Sequence, residues 1–215
     1  MFFQTAFDDP LRFCAWILVV MISIIVHELA HGAMALRLGD DTPRLLGRMT
    51  FDPLVHMGAL SLLLLVLFGI AFGSMPVDHR KLRGRYAGSW VALAGPAANF
   101  ALAIVFGLAL NALTYFGAGS ASPVLVNVAM VLSTGLIVNV LLGLFNLIPI
   151  PPLDGYAALA IGSRAFASLT ANEFFHRYAF LLLFVLLSTE LGSGFYQAVF
   201  SVAATLRDLL PFSGA

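Results

Sequence analysis

Long runs of apolar residues alternate with short polar stretches along the chain. A run of about 20 apolar residues is long enough to cross a bilayer core of roughly 30 Å as a helix. Five runs meet or approach this length, and we interpret them as membrane helices. Their approximate ranges are 13–36, 89–115, 124–147, 174–187 and 194–210.

A sixth apolar run, residues 57–72, is shorter than the others and has a glycine near each end. Runs below about 17 residues often fail to span, so we predict a re-entrant segment that enters and leaves on one side. The pattern as a whole predicts an all-α integral membrane protein. It would have about five to six transmembrane helices and a re-entrant segment near residues 57–72.

Composition narrows the class of protein. Only 10% of the 215 residues are charged and 60% are hydrophobic, with a mean hydropathy of +0.97. An ordinary soluble domain is nearer one quarter charged. These values exclude a soluble globular enzyme, a disordered chain and a nucleic-acid binder, which would need a basic face. The single cysteine excludes a disulfide framework and a cysteine-based metal site.

Three ionisable residues lie inside the first apolar run, in the sequence His27-Glu28-Leu-Ala-His31. Charged or titratable groups at membrane depth are costly, which makes them functional candidates. Residues four apart project from one face of a helix, so the two imidazoles can share one Zn²⁺ ion. Glu28 lies one position from His27, where it can accept a proton from water without binding the metal.

A third protein ligand is needed for a catalytic zinc site. Asp154 is the other acidic residue embedded between strongly apolar segments. Prolines at 149, 151 and 152 bar a regular helix before it, so we expect a helix end near Leu147, an extended piece and a turn at Asp154-Gly155. The alternative is an interfacial turn in which Asp154 only caps the next helix. His56, His79 and His176 are the competing ligands, and His56 is the strongest of them.

Three motifs in order resemble the site-2 protease family of intramembrane zinc metalloproteases. They are His27-Glu28-Leu-Ala-His31, then Ala94-Gly-Pro-Ala-Ala-Asn99, then Asn146 through Asp154-Gly155. With their helices they cover roughly residues 13–160. The resemblance is to a compact form, without PDZ or CBS domains.

The resemblance implies a role for each matching residue. His27, His31 and Asp154 would hold one Zn²⁺ per chain, and Glu28 would be the catalytic acid and base. Asn146 matches an asparagine that positions substrate or the oxyanion. Asn99 matches a second family asparagine with a weaker functional assignment, and helix–helix hydrogen bonding is its alternative. We expect residues 1–215 to form one domain, with a catalytic core at about 13–160 and accessory helices at about 174–210.

The ligands also constrain topology. His27, His31 and Asp154 can meet only if the first and third spanning helices run in the same direction, with one crossing between them. Counting basic residues then places Arg12 alone on the N-terminal side, against ten on the other side. That second group is Arg37, Arg44, Arg48, Arg80, Lys81, Arg83, Arg85, Arg164, Arg177 and Arg207. The positive-inside rule places the basic side, and the metal, towards the cytoplasm.

The predicted reaction is hydrolysis of peptide bonds in transmembrane or membrane-proximal substrate segments, as in regulated intramembrane proteolysis. A helical substrate must unwind locally, and residues 57–72 or 148–153 could pair with it by strand addition. The expected partners are a transmembrane protein or peptide and membrane lipid, with no nucleic acid, in the plasma membrane of a prokaryote. The alternatives are a non-proteolytic membrane zinc-binding or metal-transport protein and a catalytically silent relative that sequesters helices.

Overall fold

The computed structural model describes residues 2–117 and 122–212, and for residues 169, 174–176, 180, 184 and 186 it describes the backbone alone. Across these residues the regular secondary structure is helical. A 3-10 turn at Phe2–Gln4 precedes ten α-helices within the described ranges. These are α1 (Thr5–Asp8), α2 (Pro10–Arg37), α3 (Thr42–Leu45), α4 (Pro53–Phe68), α5 (Ala87–Phe116), α6 (Pro123–Asn146), α7 (Asp154–Gly162), α8 (Arg164–Leu169), α9 (Glu173–Leu187) and α10 (Glu190–Leu209).

Helices α2, α5 and α6 are long and apolar enough to cross a membrane. They contain 28, 30 and 24 residues, and at about 1.5 Å per residue each exceeds the bilayer core. The first three predicted runs are therefore confirmed as helices of spanning length. Helix α9, with 15 residues, and helix α10 are not among the helices that meet this requirement.

Local sequence explains where these helices begin. The side chain of Asp9 accepts the backbone N–H of Arg12 at 3.0 Å at the start of α2. Asp52 accepts the backbone N–H of Leu54 at 2.9 Å at the start of α4. A proline follows each of these aspartates at the first helical position, where its missing N–H costs nothing. Helix α4 is followed directly by Gly69, which adopts the left-handed conformation (φ 72°) that favours glycine.

The three long helices pack side by side, with α5 antiparallel to both others. His27 and His31 of α2 contact Asn99 and Val91 of α5, so sequence numbers rise on one helix as they fall on the other. In the same way, Gly135 and Gly143 of α6 face Phe106 and Phe100 of α5. Helices α2 and α6 consequently run in the same direction, as the metal-ligand argument requires.

The predicted segment 57–72 is two elements rather than one. Helix α4 stops at Phe68, and residues 70–78 form neither helix nor strand. Residues 70–78 return alongside α4: Phe72 O accepts the Ser61 hydroxyl at 2.7 Å, and Ser74 N–H donates to His56 O at 3.0 Å. The tip contacts α2, where Trp16 Nε1 donates to Gly69 O at 2.9 Å. The serine and glycine contacts that bend the chain back are too local for an apolar run to reveal.

Asp40 ties together the loops that follow α2 and precede α5. Its side chain is buried and accepts the backbone N–H groups of Thr42 at 2.9 Å and Asp78 at 2.8 Å. Burial alone would raise the pKa of Asp40, but these hydrogen bonds and the nearby Lys81 charge outweigh burial and lower that pKa. The charged carboxylate therefore stabilises the loop pair that carries residues 74–78 back from the hairpin.

Two expectations for the C-terminal half were wrong. Asp154-Gly155 begins helix α7 instead of forming a turn, and residues 147–153 form turns, with Leu153 N–H donating to Ile150 O at 3.0 Å, instead of an extended piece. Gly155 packs so closely on the Leu147 carbonyl that a Cβ would overlap it. The prolines prevent helix formation here, as predicted, but the chain folds back on the end of α6.

The end of α10 was also misplaced by the charge count. Asn111 near the end of α5 donates to the backbone carbonyls of Arg207 at 2.8 Å and Pro211 at 3.2 Å. Because α2 is antiparallel to α5, this end of α5 lies with the beginning of α2. Arg207 therefore joins Arg12, and ten against one becomes nine against two. The basic bias keeps its direction, so the positive-inside argument is weakened but not reversed.

Candidate metal centre

Helix geometry and one loop bring His27, His31 and Asp154 together. The two histidine Nε2 atoms are 3.0 Å apart, because residues four apart share a helix face. The fold-back of residues 147–153 then delivers Asp154 from the start of α7. Its Oδ2 atom lies 3.0 Å from His27 Nε2 and 3.4 Å from His31 Nε2. The sequence-predicted ligand set thus converges on one point.

The hydrogen bonds behind the histidines show that this point suits a cation. His27 Nδ1 lies 2.6 Å from Asn99 Oδ1, and His31 Nδ1 lies 2.7 Å from Val91 O. Both partners are acceptors, so in the neutral imidazoles each Nδ1 carries the proton and each Nε2 presents a lone pair. Those lone pairs face the buried Asp154 Oδ2, which has no hydrogen-bond donor.

Three electron-rich atoms in contact repel one another unless a positive charge lies among them. Two imidazole nitrogens and one carboxylate oxygen are the donor set of catalytic zinc sites, which leave a position open for water or substrate. Hydrogen bonds from the outer nitrogen of each histidine are also typical of zinc ligands. The residues present therefore fit Zn²⁺.

Gly95 of α5 makes room for this cluster. A Cβ at this position would lie 2.5 Å from His27 Nε2 and would also overlap His31 Nε2. Any side chain larger than hydrogen would therefore occupy the space where the ligand atoms converge. The lack of space explains why the motif Ala94-Gly-Pro-Ala-Ala-Asn99 has glycine at its second position.

A model of peptidase family M50 matches residues 15–189. The chain belongs to peptidase family M50. Membership confirms the resemblance to the site-2 proteases and, with it, the assignment as a zinc metalloprotease.

Curated relatives match most of this M50 chain. "Putative zinc metalloprotease YwhC" of Bacillus subtilis is 32% identical over 189 residues, covering 86% of this chain and 85% of the relative. "Putative zinc metalloprotease Rip2" of Mycolicibacterium smegmatis is 31% identical over 196 residues, covering 84% and 69% respectively. Rip3 of Mycobacterium tuberculosis, which carries the same description, is 34% identical over 138 residues, covering 64% and 28%. No solved structure matches the chain.

Glu28 lies beside the ligand cluster of the M50 chain. It is only 6% exposed, and it forms part of the wall of a cavity of about 840 Å³ that the ligands also line. Gly73 of the returning segment packs against it, since a Cβ there would lie 2.5 Å from Glu28 Oε1. Glu28 is thus held at the cavity wall while the three other side chains converge beside it.

The two asparagines of the family motifs, Asn146 and Asn99, lie at different places relative to the cavity. Asn146, the last residue of α6, lines the cavity, and its Nδ2 donates to Leu142 O at 3.0 Å. Asn99 is fully buried behind His27 and does not line the cavity. The functional assignment of Asn99 stays a prediction, and its amide is engaged with His27 and α6 and does not face the cavity. Its alternative, helix–helix hydrogen bonding, agrees with the contact from Asn99 Nδ2 to Asn139 Oδ1 at 3.0 Å.

The competing histidine ligands lie apart from the cluster. His56 is 2% exposed and its Nε2 lies 2.6 Å from Thr50 O, and His79 is exposed and lines the cavity. Neither belongs to the group of ligand atoms that could hold an ion. The side chain of His176 lies outside the described residues.

Sequence reasoning missed several residues that shape the site. Gly95, Asn139 and Ser23 were not singled out, although all three lie in spanning helices. Polar residues within apolar runs commonly form interhelical hydrogen bonds, and that signal alone would have identified Asn139 and Ser23. Gly95 lies within the motif Ala94-Gly-Pro-Ala-Ala-Asn99, but nothing in the sequence assigned it a separate role, because small residues are common where membrane helices pack closely.

Proposed function

We propose that this M50 peptidase hydrolyses peptide bonds of transmembrane or membrane-proximal substrates at the centre formed by His27, His31 and Asp154. The observation that carries the proposal is the convergence of these three ligand atoms beside Glu28, on a cavity wall within helices of spanning length. One Zn²⁺ per chain is the proposed occupant. Residues 1–215 would act as one domain, with a catalytic core at about 13–160 and accessory helices at about 174–210.

Each side chain has a separate role in the proposed reaction. When bound, Zn²⁺ supplies a Lewis acid that activates water and polarises the scissile carbonyl. Glu28 accepts the proton of the attacking water and later donates it to the leaving amine. Asn146 carries two amide protons, one of which is donated to Leu142 O. The second is proposed to stabilise the developing oxyanion from the cavity wall.

Residues 70–77 provide an edge to which an unwound substrate could pair. Phe72 directs both its N–H and its C=O towards Ser61, and Ser74 directs its N–H towards His56 O. In an extended chain the backbone groups of neighbouring residues point to opposite sides, so those of Gly73 would point away from α4, where a substrate strand could pair with them. This edge keeps the last residues of the predicted candidate 57–72, since residues 57–68 are largely helical, and it replaces the candidate 148–153, which forms turns.

The contacts of α4 support a re-entrant hairpin. The chain contacts Trp16 at Gly69 and then returns to bond His56 O through Ser74 N–H, so it would enter and leave the membrane on one side. We propose a fourth crossing by α10, whose end lies with the end of α5. Helix α9, with 15 residues, is left out of the crossings, because a further one would return the end of α10 to the metal side. The five to six predicted spans thus become four and the hairpin. Basic residues favour a cytoplasmic location for the metal end in a prokaryotic plasma membrane, and the cavity would open there, near exposed His79.

Chelator-sensitive cleavage in detergent tests this function. The probe is a tagged single-pass helix interrupted by Gly-Pro, with the uninterrupted helix as its matched control. We expect cleavage that stops with chelator and returns with Zn²⁺, and about tenfold slower cleavage of the control, whose backbone is shielded. Metal flux into vesicles without any cleavage would instead identify a metal transporter. Binding of the helix without cleavage would identify a catalytically silent relative.

A further inference from the structure

A line of polar side chains runs from His27 into the middle of the membrane bundle. It consists of Ser23 and His27 of α2, Asn99 of α5 and Asn139 of α6, each buried. Every neighbouring pair is in hydrogen-bond contact, and the line joins all three helices of spanning length. Such polar groups are costly at this depth unless each is satisfied.

Two backbone carbonyls fix the direction of every hydrogen bond in this line. The Ser23 hydroxyl donates to Val19 O at 2.7 Å, so its oxygen is left to accept. Asn139 Nδ2 donates to that oxygen at 2.9 Å and to Gly135 O at 2.8 Å. A carbonyl cannot donate, and the Asn139 amide is therefore held with Nδ2 towards Ser23 and Oδ1 towards Asn99.

The orientation of the Asn139 amide determines that of Asn99, and through Asn99 it reaches the metal ligand His27. Asn99 Nδ2 donates to Asn139 Oδ1 at 3.0 Å and to Ser23 O at 3.4 Å. Its Oδ1 must then face His27 Nδ1, at 2.6 Å. An amide turned the other way would place N–H against His27 Nδ1 and would move the imidazole proton to Nε2, the atom that faces the metal position.

We propose that Ser23 and Asn139 are positioning residues that hold Asn99 in one orientation and so keep the Nε2 lone pair of His27 available to the metal. His31 needs no such line, because its Nδ1 contacts the backbone carbonyl of Val91 directly. The two histidines are thus oriented by different means, and only the orientation of His27 depends on a chain of side-chain hydrogen bonds. The proposal rests on the proposed metal centre, but not on cleavage.

The test uses Ser23→Ala and Asn139→Leu in the full-length protein. Each substitution removes a hydrogen-bonding side chain from the line and leaves His27 and Asn99 themselves unchanged. Asn111→Leu is the matched control, since Asn111 is an equally buried asparagine of α5 that binds the end of α10 instead of the metal centre. Zn²⁺ affinity is measured by chelator competition. The protonated nitrogen of His27 is identified by ¹⁵N NMR of the metal-free protein.

Loss of an outer partner of a ligating histidine typically weakens metal binding by about 10–100-fold. We expect Ser23→Ala and Asn139→Leu to raise the Kd for Zn²⁺ by about tenfold and to convert His27 from one Nδ1–H form to a mixture. Asn111→Leu should change neither readout. Any other pattern overturns the proposal, including wild-type affinity in both variants or an equal loss in the control. If the variants lose Zn²⁺ affinity as expected but the wild-type protein cuts no substrate, only the proposed function is contradicted.

Discussion

Replacing Glu28 with glutamine is expected to abolish cleavage while one Zn²⁺ per chain remains bound. Glutamine keeps the shape of the buried side chain but cannot accept the proton of the attacking water. General acid–base groups typically contribute about 10²–10⁴-fold to rate, so we expect a loss in that range with little change in KM. The measurement is the cleavage rate of the tagged helix, together with the zinc content of the same preparation.

Glu173→Gln is the matched control for this substitution. Glu173 is an exposed acid at the start of α9, so the same loss of charge there should leave the rate unchanged. Two results would contradict the role of Glu28. Full activity in Glu28→Gln would remove it as the base, and loss of zinc would make it a ligand.

Replacing Gly95 with alanine is expected to remove both zinc and activity. The added methyl carbon would sit 2.5 Å from His27 Nε2 and against His31 Nε2, far inside van der Waals contact. One imidazole must therefore turn away from the metal position. Loss of the hydrogen-bond partner behind a ligating histidine weakens metal binding by up to about 100-fold. Displacing a ligand itself should cost at least as much Zn²⁺ affinity, measured by chelator competition.

Gly107→Ala on the same helix separates this local effect from a general effect on α5. A Cβ at Gly107 would overlap the flexible end of Leu210, at 2.7 Å, and would make an ordinary contact with Leu136 at 3.7 Å. Alanine is also the better helix former by about 1 kcal/mol, so neither variant should unfold the helix. Zinc binding of wild-type strength in Gly95→Ala would show that the ion lies elsewhere.

The parts of this architecture that were predictable from sequence depend on local periodicity. Helix α2 and the pairing of His27 with His31 follow from one helical face inside one apolar run. Asp154 was identified because an acidic residue after three prolines is unusual in a membrane segment, and its order after the other motifs supported it. Asp154 could meet the histidines only if α2 and α6 ran in the same direction, and in the structure they do.

What sequence could not show depends on contacts between distant residues. The bend after Gly69 depends on two hydrogen bonds, from Phe72 N–H to the Ser61 hydroxyl oxygen and from Ser74 N–H to His56 O. The placement of Arg207 depends on Asn111 binding the end of α10, and a count of charges carries no information on that contact. The position of Asn99 behind His27 likewise depends on how closely α5 approaches α2.

The metal content of Asp154→Ala tests the central claim most directly, with His56→Gln as the competing-ligand control. Asp154 supplies the one proposed ligand that comes from outside α2, whereas His56 is buried and bonded to Thr50. Wild-type protein and His56→Gln should each hold one zinc per chain after dialysis, and Asp154→Ala should hold close to none. Retention of one zinc by Asp154→Ala, with loss from His56→Gln, would contradict the proposed centre.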